Sequence, residues 1–277
     1  MAEVINIVSQ KGGVGKTATA FNLGIGLVRE GKRVLLVDID PQCSLTKICG
    51  LREQENIQTA LHDVILKQLN GQPLEPGEGI YTGHKEGIHI VPSKKELTAL
   101  ESALNEIEGG TTALKQYVDT VKTDYDYVII DAAPTLATLS VSGMAASDKL
   151  IIPVQPYYEP VAGMEELLDT YMFVRQSGLN PNLQIGGLLF TMVEGRVRFS
   201  NDIMELVEGE YGKHVKIFSS RIPRSVKVAE MSAASKSIFC RSKNKAALAY
   251  GNLTKEVLGN VREYRKEHTA KRDEPVI

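Results

Sequence analysis

Short apolar runs alternate with helical patterns along most of the chain. The runs are rich in β-branched residues and leucine, and 34-VLLV-37 is apolar without interruption. Continuous apolar runs of this kind are typical of parallel strands that are buried on both faces. Between them, apolar residues recur at the spacing of a helix. The pattern predicts strands at 4–8, 33–38, 88–91, 127–131, 150–154 and 185–190, and helices at 16–30, 57–69, 94–106, 111–123, 160–177 and 199–211.

This alternation predicts an α/β fold with a mostly parallel, twisted sheet and helices on both faces. The chain shows no internal repeat and no linker, so a single domain over 1–277 is expected. Residues 51–87 contain the turn-rich stretch 70-NGQPLEPGEG-79 and are predicted to form a surface insertion. Residues 253–277 are predicted to form a charged C-terminal helix and tail.

The composition is that of a soluble globular protein, with 43% hydrophobic and 24% charged residues. The apolar runs are far shorter than the roughly 20 residues that a membrane span needs. The first residues lack the basic and apolar regions of a secretory signal. Cys43, Cys49 and Cys240 are an odd set at no metal-binding spacing, which suits a reducing compartment. A cytoplasmic protein is therefore expected.

Basic residues are concentrated late in the chain, although the formal net charge is only −2. The segment 213–245 holds nine Lys or Arg residues and a single acidic residue, Glu230. A segment of this charge favours a polyanion as a partner. Basic side chains that only solvate the surface of helices would give the same pattern, so the two interpretations stay open.

The segment 10-QKGGVGKT-17 lies directly after a predicted strand and directly before a predicted helix. Its glycines allow backbone N–H groups to wrap around a phosphate chain, and the helix N-terminus favours negative charge. Lys16 would neutralise the β- and γ-phosphates, and the Thr17 hydroxyl would bind Mg²⁺. The segment therefore predicts a nucleoside triphosphate site. The common loop starts with Gly, whereas Gln10 stands here and a second lysine, Lys11, follows it.

This loop and the segments that follow it resemble the ParA/MinD family of deviant Walker ATPases. The segment 34-VLLVDIDPQ-42 resembles the family's switch I, and 126-DYVIIDAAP-134 resembles its Walker B and switch II. The segments 187-GLLFTM-192 and 221-RIPRSVKVAE-230 resemble the base-binding strand and the segment after the last strand. Switch II usually carries two prolines, and Ala133 replaces the first of them. The resemblance implies a P-loop NTPase domain with weak ATPase activity and with ATP and Mg²⁺ as cofactors.

Three aspartates are the predicted acidic groups of the site. Asp38 and Asp131 each end a predicted buried strand, so both carboxylates should lie at the carboxyl edge of the sheet, beside the loop. There they would hold Mg²⁺ through its waters, together with Thr17. A helix N-cap is the alternative role for either one. Asp40 resembles the family residue that orients the attacking water.

The resemblance also implies contacts around the nucleotide. Lys11 corresponds to a lysine that reaches the partner's phosphates across an ATP-bound homodimer, and it joins Lys16 and Asp40 as a catalytic candidate. Met192 and Pro223 are implied adenine contacts. The ATP-binding residues predicted in this way are Lys11, Gly12, Gly13, Val14, Gly15, Lys16, Thr17, Ala18, Met192 and Pro223.

The functional interpretation is a ParA-like partitioning ATPase. Such a protein forms an ATP-dependent homodimer, binds DNA without sequence preference, and hydrolyses ATP when a ParB-like centromere-binding partner stimulates it. It would segregate or position plasmid, chromosome or mobile-element DNA in the cytoplasm, in association with the nucleoid. The resemblance puts Arg196 and Arg224 among the DNA-binding residues, and the basic segment adds Arg221, Lys227 and Lys243.

Other classes of protein fit the sequence less well. A MinD-like positioning ATPase, acting at a membrane or on a protein cargo, is the main alternative. The segment 264-YRKEHTAKR-272 has almost no apolar residues, so a stable membrane anchor is not expected there. An iron–sulfur carrier would need closer cysteines, and a metabolic synthetase would need a second group of catalytic residues.

Overall fold

A parallel sheet forms the centre of the computed structural model, which describes residues 1–107, 109–157, 163–194 and 197–259. Its strands are β1 (Glu3–Ile7), β2 (Val34–Asp38), β3 (His89–Val91), β4 (Tyr127–Asp131), β5 (Lys149–Val154) and β6 (Gln184–Phe190). Within the described ranges the sheet has six strands in the order β3-β2-β4-β1-β5-β6, and every pair is parallel. The predicted α/β class and parallel sheet are confirmed.

Helices connect the strands and cover both faces of the sheet. Their bounds are α1 (Lys16–Arg29), α2 (Ser44–Ile48), α3 (Leu61–Leu69), α4 (Leu97–Leu104), α5 (Ala113–Val121), α6 (Thr138–Ala145), α7 (Met164–Gln176), α8 (Arg198–Tyr211), α9 (Val226–Ala233) and α10 (Lys245–Val257). One core packs the apolar residues of α1 and α10 against one face of the sheet. A second core packs α3 to α8 against the other face. The carboxyl ends of the strands are left to the loops that build the site.

Predicted and observed helices differ where a helix is buried or short. The predicted helix 57–69 begins at Leu61 because Ala60 is extended, with φ −116°. The short helices α2 and α9 were not predicted. Helix α6 was also missed because it is buried on nearly all sides, so its apolar residues show no helical period.

The predicted surface insertion 51–87 contains a helix that belongs to the core. Leu61, Val64 and Ile65 of α3 are fully buried, since α3 lies in the connection from β2 to β3 and packs on the sheet. Most of the turn-rich stretch that follows α3 is exposed, as expected.

The C-terminal helix, predicted from 253, already begins at Lys245, where the Asn244 side chain accepts a hydrogen bond from the amide of Ala246. Residues 260–277 of the predicted tail lie outside the described residues.

Helices α1 and α10 pack closely at Gly26, which predicts an unusual response to substitution. Alanine normally stabilises a helix interior by about 1 kcal/mol relative to glycine. A Cβ on Gly26 would overlap the Thr254 hydroxyl oxygen and lie 3.2 Å from the Thr254 Cβ. The hydroxyl is buried and donates to the Tyr250 carbonyl oxygen at 2.9 Å, so it cannot turn away without losing that bond.

We therefore expect Gly26→Ala to lower the free energy of unfolding by roughly 1–3 kcal/mol, as overpacking does. Gly209→Ala in α8 is the matched control, because a Cβ there meets nothing within 4 Å. The control should raise stability, and urea unfolding of both variants measures the two signs. Equal stabilisation by the two substitutions would contradict the close packing of α1 on α10.

None of the helices in the described ranges combines the length and apolar character needed to cross a membrane.

Candidate functional site

The P-loop connects β1 to α1 at the carboxyl edge of the sheet. Gly13 and Gly15 have φ values of +75° and +85°, in the left-handed region that favours glycine. Val14 between them is buried, whereas Lys11, Gly12 and Gly13 are exposed. The exposed edge faces open space, because a Cβ on Gly12 or Gly13 would meet nothing within 4 Å. The loop therefore offers its backbone outward, at the N-terminus of α1, where a phosphate chain is favoured.

Lys16 brings a buried positive charge to this loop. Its side chain is almost fully buried, and its Nζ donates to the carbonyl oxygens of Ser9 at 2.9 Å and Lys11 at 3.1 Å. Burial lowers the pKa of Lys16, while the nearby carboxylates of Asp131 and Asp40 act against that shift. The charge is thus held at the centre of the loop without a direct carboxylate contact, which leaves it available to phosphate oxygens.

Side chains that directly follow β5 and β6 donate hydrogen bonds to the backbone of the P-loop. Gln155 donates from Nε2 to the carbonyl oxygen of Gly13 at 2.8 Å, and the buried Thr191 hydroxyl donates to that of Val14 at 2.8 Å. Gln10 donates to a carboxylate oxygen of Glu166 on α7. Sequence reasoning missed these residues. Gln155 and Thr191 directly follow strand ends at the ligand-binding edge of the sheet, and that position is the signal that could have found them.

Asp38 and Asp131 lie side by side at the ends of β2 and β4. They are directly paired in the register of the two strands, and both are completely buried. Burial raises the pKa of Asp38 to about 6, although hydrogen bonds from Thr46 oppose the shift. Burial and the charge of Asp38 raise the pKa of Asp131 well above its usual range, against the neighbouring Thr17 hydroxyl. Two buried, ionised carboxylates this close are costly unless one takes up a proton or a cation joins them.

The two carboxylates differ in the hydrogen bonds that they accept from the protein. The Oδ2 of Asp38 accepts hydrogen bonds from the Thr46 hydroxyl at 2.6 Å and the Thr46 amide at 2.8 Å. Its Oδ1 accepts the amide of Asp40 at 3.1 Å. Both oxygens of Asp131 are buried, and neither accepts a hydrogen bond of good geometry from the described residues, although the Thr17 hydroxyl lies close enough to lower the pKa of this carboxyl. The orphaned oxygens of Asp131 therefore fit a cation or its water shell, while Asp38 is held in place mainly by Thr46.

The acid groups do not form a closed metal cage. Within the described residues no cluster of three or more His, Cys, Asp or Glu side chains could enclose a metal ion. Mg²⁺ is usually bound by one or two carboxylates, waters and the phosphates of its substrate. The oxygen donors of Asp131, Asp38 and Thr17 fit a hydrated Mg²⁺ that is also bound to the phosphates of a nucleotide.

Asp40 and the two predicted adenine contacts also lie around the loop. Asp40 is largely buried, and its Oδ1 accepts the amide of Gln42 at 2.9 Å. Met192 has a positive φ of 53° and reaches the loop, with its Cε 3.7 Å from the position of a Cβ on Gly15. Pro223 lies next to it in space, because it is paired with Val193 in a parallel bridge. The fold therefore brings both residues to one side of the P-loop.

The predicted DNA-binding residues are not a uniformly positive surface. Arg221 pairs with Glu208 and Arg224 with Glu194, each at 2.8 Å, and Lys227 pairs with Glu230 at 2.6 Å. All of these side chains are at least one-third exposed. Lys243 is also exposed, and Arg196 lies outside the described residues. Glu194 and Glu208 precede the basic segment in the sequence, so its charge count did not include them.

Comparison with known proteins decides the family. A family model described as an AAA domain matches residues 2–185. The chromosome-partitioning ATPase Soj of Thermus thermophilus is 36% identical over 260 residues, which cover 94% of this chain and 96% of Soj. The chromosome partitioning protein ParA of Myxococcus xanthus is 33% identical over 259 residues, which cover 93% of this chain and 88% of ParA. The chain belongs to the Soj/ParA family of P-loop ATPases.

A solved structure agrees with this assignment to the Soj/ParA family at the level of the fold and the ligands. The cobyrinic acid a,c-diamide synthase of Mycobacterium smegmatis, with bound ADP and magnesium, has a TM-score of 0.80 to this chain at 30% identity. The match covers 95% of this chain and 96% of the synthase chain. The predicted ATPase class is confirmed by the family, and ATP and Mg²⁺ are its cofactors.

Proposed function

We propose that this Soj/ParA-family ATPase partitions DNA, using a weak Mg·ATP hydrolysis cycle to switch a homodimer on and off DNA. The pair of buried carboxylates at the ends of β2 and β4, beside the P-loop, is the observation that carries the ATPase part. Lys16 binds the phosphates, and Asp131 and Asp38 hold the hydrated Mg²⁺ together with Thr17. Asp40 orients the attacking water. Magnesium supplies the charge that neutralises the phosphates during transfer.

The proposed partners follow from the family. Chromosome-partitioning relatives support non-specific DNA and a ParB-like centromere-binding protein as partners, and a location in the cytoplasm on the nucleoid. The synthase relative leaves amide formation as a competing activity. Steady ATP hydrolysis without any acceptor molecule, stimulated by DNA and unaffected by cobyrinic acid, supports partitioning. Hydrolysis that requires the acceptor would contradict it.

Homodimerisation is proposed to bring two P-loops together, with Lys11 reaching the partner's phosphates. The exposed edge of the loop suits such an approach. Gly12 lacks the positive φ of Gly13 and Gly15, and a Cβ there meets no atom of the described residues within 4 Å. A side chain at Gly12 should therefore leave the monomer intact and clash only with a second copy.

Gly12→Val is accordingly expected to bind ATP and yet remain monomeric, whereas the unaltered protein dimerises with ATP. Light scattering with ATP and with ADP measures the difference in mass. Gly209→Val is the control for a valine at an equally open glycine. A Gly12→Val dimer of unchanged affinity would show that the loops do not meet at this position.

DNA binding is proposed for the basic residues after β6, in spite of their ion pairs. Exposed pairs of this kind contribute little stability, and a phosphate can displace the glutamate. Each phosphate contact releases counterions and adds to the affinity, so a dimer with twice the contacts binds much more tightly than a monomer. For each contact, log K should fall by about 0.9 for each tenfold rise in salt.

Arg224→Glu combined with Lys227→Glu should remove ATP-dependent DNA retention while sparing ATP binding. The same change of net charge at Lys95→Glu with Lys115→Glu, which lie outside the basic segment, should have a much smaller effect. The complementary variant, Glu194→Gln with Glu230→Gln, frees both cations and should strengthen DNA binding. Retention that survives the first variant, or that is equal with ADP and ATP, would mean that the basic segment is not the nucleotide-gated DNA surface.

A further inference from the structure

A cavity of about 710 Å³ lies apart from the P-loop, between three segments of the chain. Its wall is formed by the residues after α2, by the loop that leads to β3, and by the end of α9 with the segment that follows. Cavities that bind small molecules have volumes of roughly 300–1,000 Å³. None of the P-loop residues and none of the three aspartates line it, so it is not part of the ATP site.

The wall of this cavity carries positive charge that the protein does not neutralise. Lys85, Lys236 and Arg241 line it and are exposed, and within the described part of the chain none of them forms an ion pair. One carboxylate, Glu86, also lines the wall, where it accepts the Ser237 amide at 2.7 Å and the Ser237 hydroxyl at 2.5 Å. Its charge offsets one of the three cations, so the wall keeps a net positive charge. Arg221, Arg224 and Lys227 of the proposed DNA surface, in contrast, are each paired with a glutamate.

The rest of the wall is largely apolar. Leu51, Tyr81, Ile90 and Met231 contribute side chains to it, and Ile90 belongs to the core beneath. A phosphate ion would contact the cations and leave the apolar surface of the cavity exposed to water. An anion with an apolar body would use both, because burial of apolar surface adds to the charge contacts. We propose that the cavity binds a small organic anion with an apolar body, as a second ligand of this ATPase.

Such a ligand would lie between the magnesium site and the DNA-binding segment. Thr46 of α2 binds Asp38, and Cys49 to Leu51, directly after α2, line the cavity. Arg52, which directly follows Leu51, donates to the Ala233 carbonyl oxygen and to the Ser235 hydroxyl at 3.4 Å, where α9 ends. A ligand in the cavity would thus contact the residues after α2, which holds Asp38, and the residues after α9, which belongs to the proposed DNA-binding segment.

The probe for this site is 8-anilinonaphthalene-1-sulfonate, an aromatic sulfonate whose fluorescence rises on binding. The titration uses the full chain with saturating Mg·ADP, so that the P-loop is occupied. Lys236→Glu with Arg241→Glu should weaken dye binding at least about tenfold, as expected for loss of charge-assisted contacts. Lys95→Glu with Lys213→Glu makes the same change of net charge outside the cavity and should leave affinity nearly unchanged. Lys236→Ala with Arg241→Ala repeats the test without added negative charge.

Cys240 reports on location, because it is the exposed thiol and lines the cavity, whereas Cys43 and Cys49 are buried. Dye at ten times its Kd should slow alkylation of Cys240 by iodoacetamide about tenfold, and Cys240→Ser identifies the labelled site. Equal dye affinity in the two charge-reversal variants, or binding that leaves Cys240 unprotected, would overturn the proposal. A short DNA duplex that displaces the dye and shields Cys240 would assign these cations to nucleic acid and overturn it too.

Discussion

Lys16→Ala is expected to lower ATP hydrolysis by at least about 10²-fold, the loss typical of removing one preorganised charge contact to a transition state. The same substitution should remove the stabilisation that Mg·ATP gives the folded protein, which is about 2.7 kcal/mol at a hundredfold excess over Kd. The reason is geometric. The ammonium group is buried within the loop, 2.9 Å from the Ser9 carbonyl oxygen. The other cation of the site among the described residues is Lys11, which lies on the exposed edge of the loop.

Thermal unfolding with and without Mg·ATP measures the effect, and Lys95→Ala is the control for loss of a lysine from the exposed surface. Mg·ATP should raise the melting temperature of the control as much as that of the unaltered protein. A Lys16→Ala protein that keeps both the thermal shift and the rate would show that the triphosphate binds away from this loop.

Sequence reasoning recovered the parts of the fold that depend on neighbouring residues. The strands that carry Asp38 and Asp131 are continuous apolar runs, and the loop at Gly13 to Lys16 is defined by glycine spacing next to a helix. Both signals are local, so the position of the two carboxylates at one sheet edge followed from the parallel arrangement alone.

The supporting contacts of the site could not be predicted, because they depend on how distant segments pack. Gln155 and Thr191 bind the P-loop from 142 and 177 residues away. Thr46 holds Asp38 from a helix too short for a helical period to appear. The sequence also overestimated the charge of the basic surface, since Glu194 and Glu208 reach it only through the fold.

Asp131→Asn is expected to have opposite effects on activity and on stability. The substitution replaces a carboxyl that can ionise by an amide that cannot, at a buried position where the Thr17 hydroxyl is close but no described donor makes a hydrogen bond of good geometry. Without nucleotide and magnesium, the variant should be more stable than the unaltered protein by roughly 1–3 kcal/mol, the cost of leaving a buried polar group unsatisfied. An amide at this position can also donate to the neighbouring Asp38 carboxylate.

The stability difference between the two proteins should depend on pH. Burial raises the pKa of Asp38 from 3.8 to about 6 and raises that of Asp131 well above its usual range. A carboxyl whose folded pKa exceeds its unfolded pKa contributes stability that is complete below the unfolded pKa and is lost as pH rises through the folded value. The advantage of the variant should therefore grow from pH 5 to pH 8. His84 and His89, whose pKa values burial lowers, act in the opposite direction in both proteins and cancel in the difference.

Magnesium with nucleotide should reverse the order of stability. A bound cation neutralises Asp38 and Asp131 together, so the unaltered protein gains from Mg·ADP what the Asn variant cannot. ATP hydrolysis by the variant should fall by at least about 10²-fold, because a preorganised charge is lost. Asp202→Asn on the exposed side of α8 is the control and should change neither property. Urea unfolding at several pH values, with and without Mg·ADP, measures the crossing. A variant that is less stable than the unaltered protein in the absence of ligands would show that Asp131 is already compensated within the protein, and the magnesium assignment would then lose its structural basis.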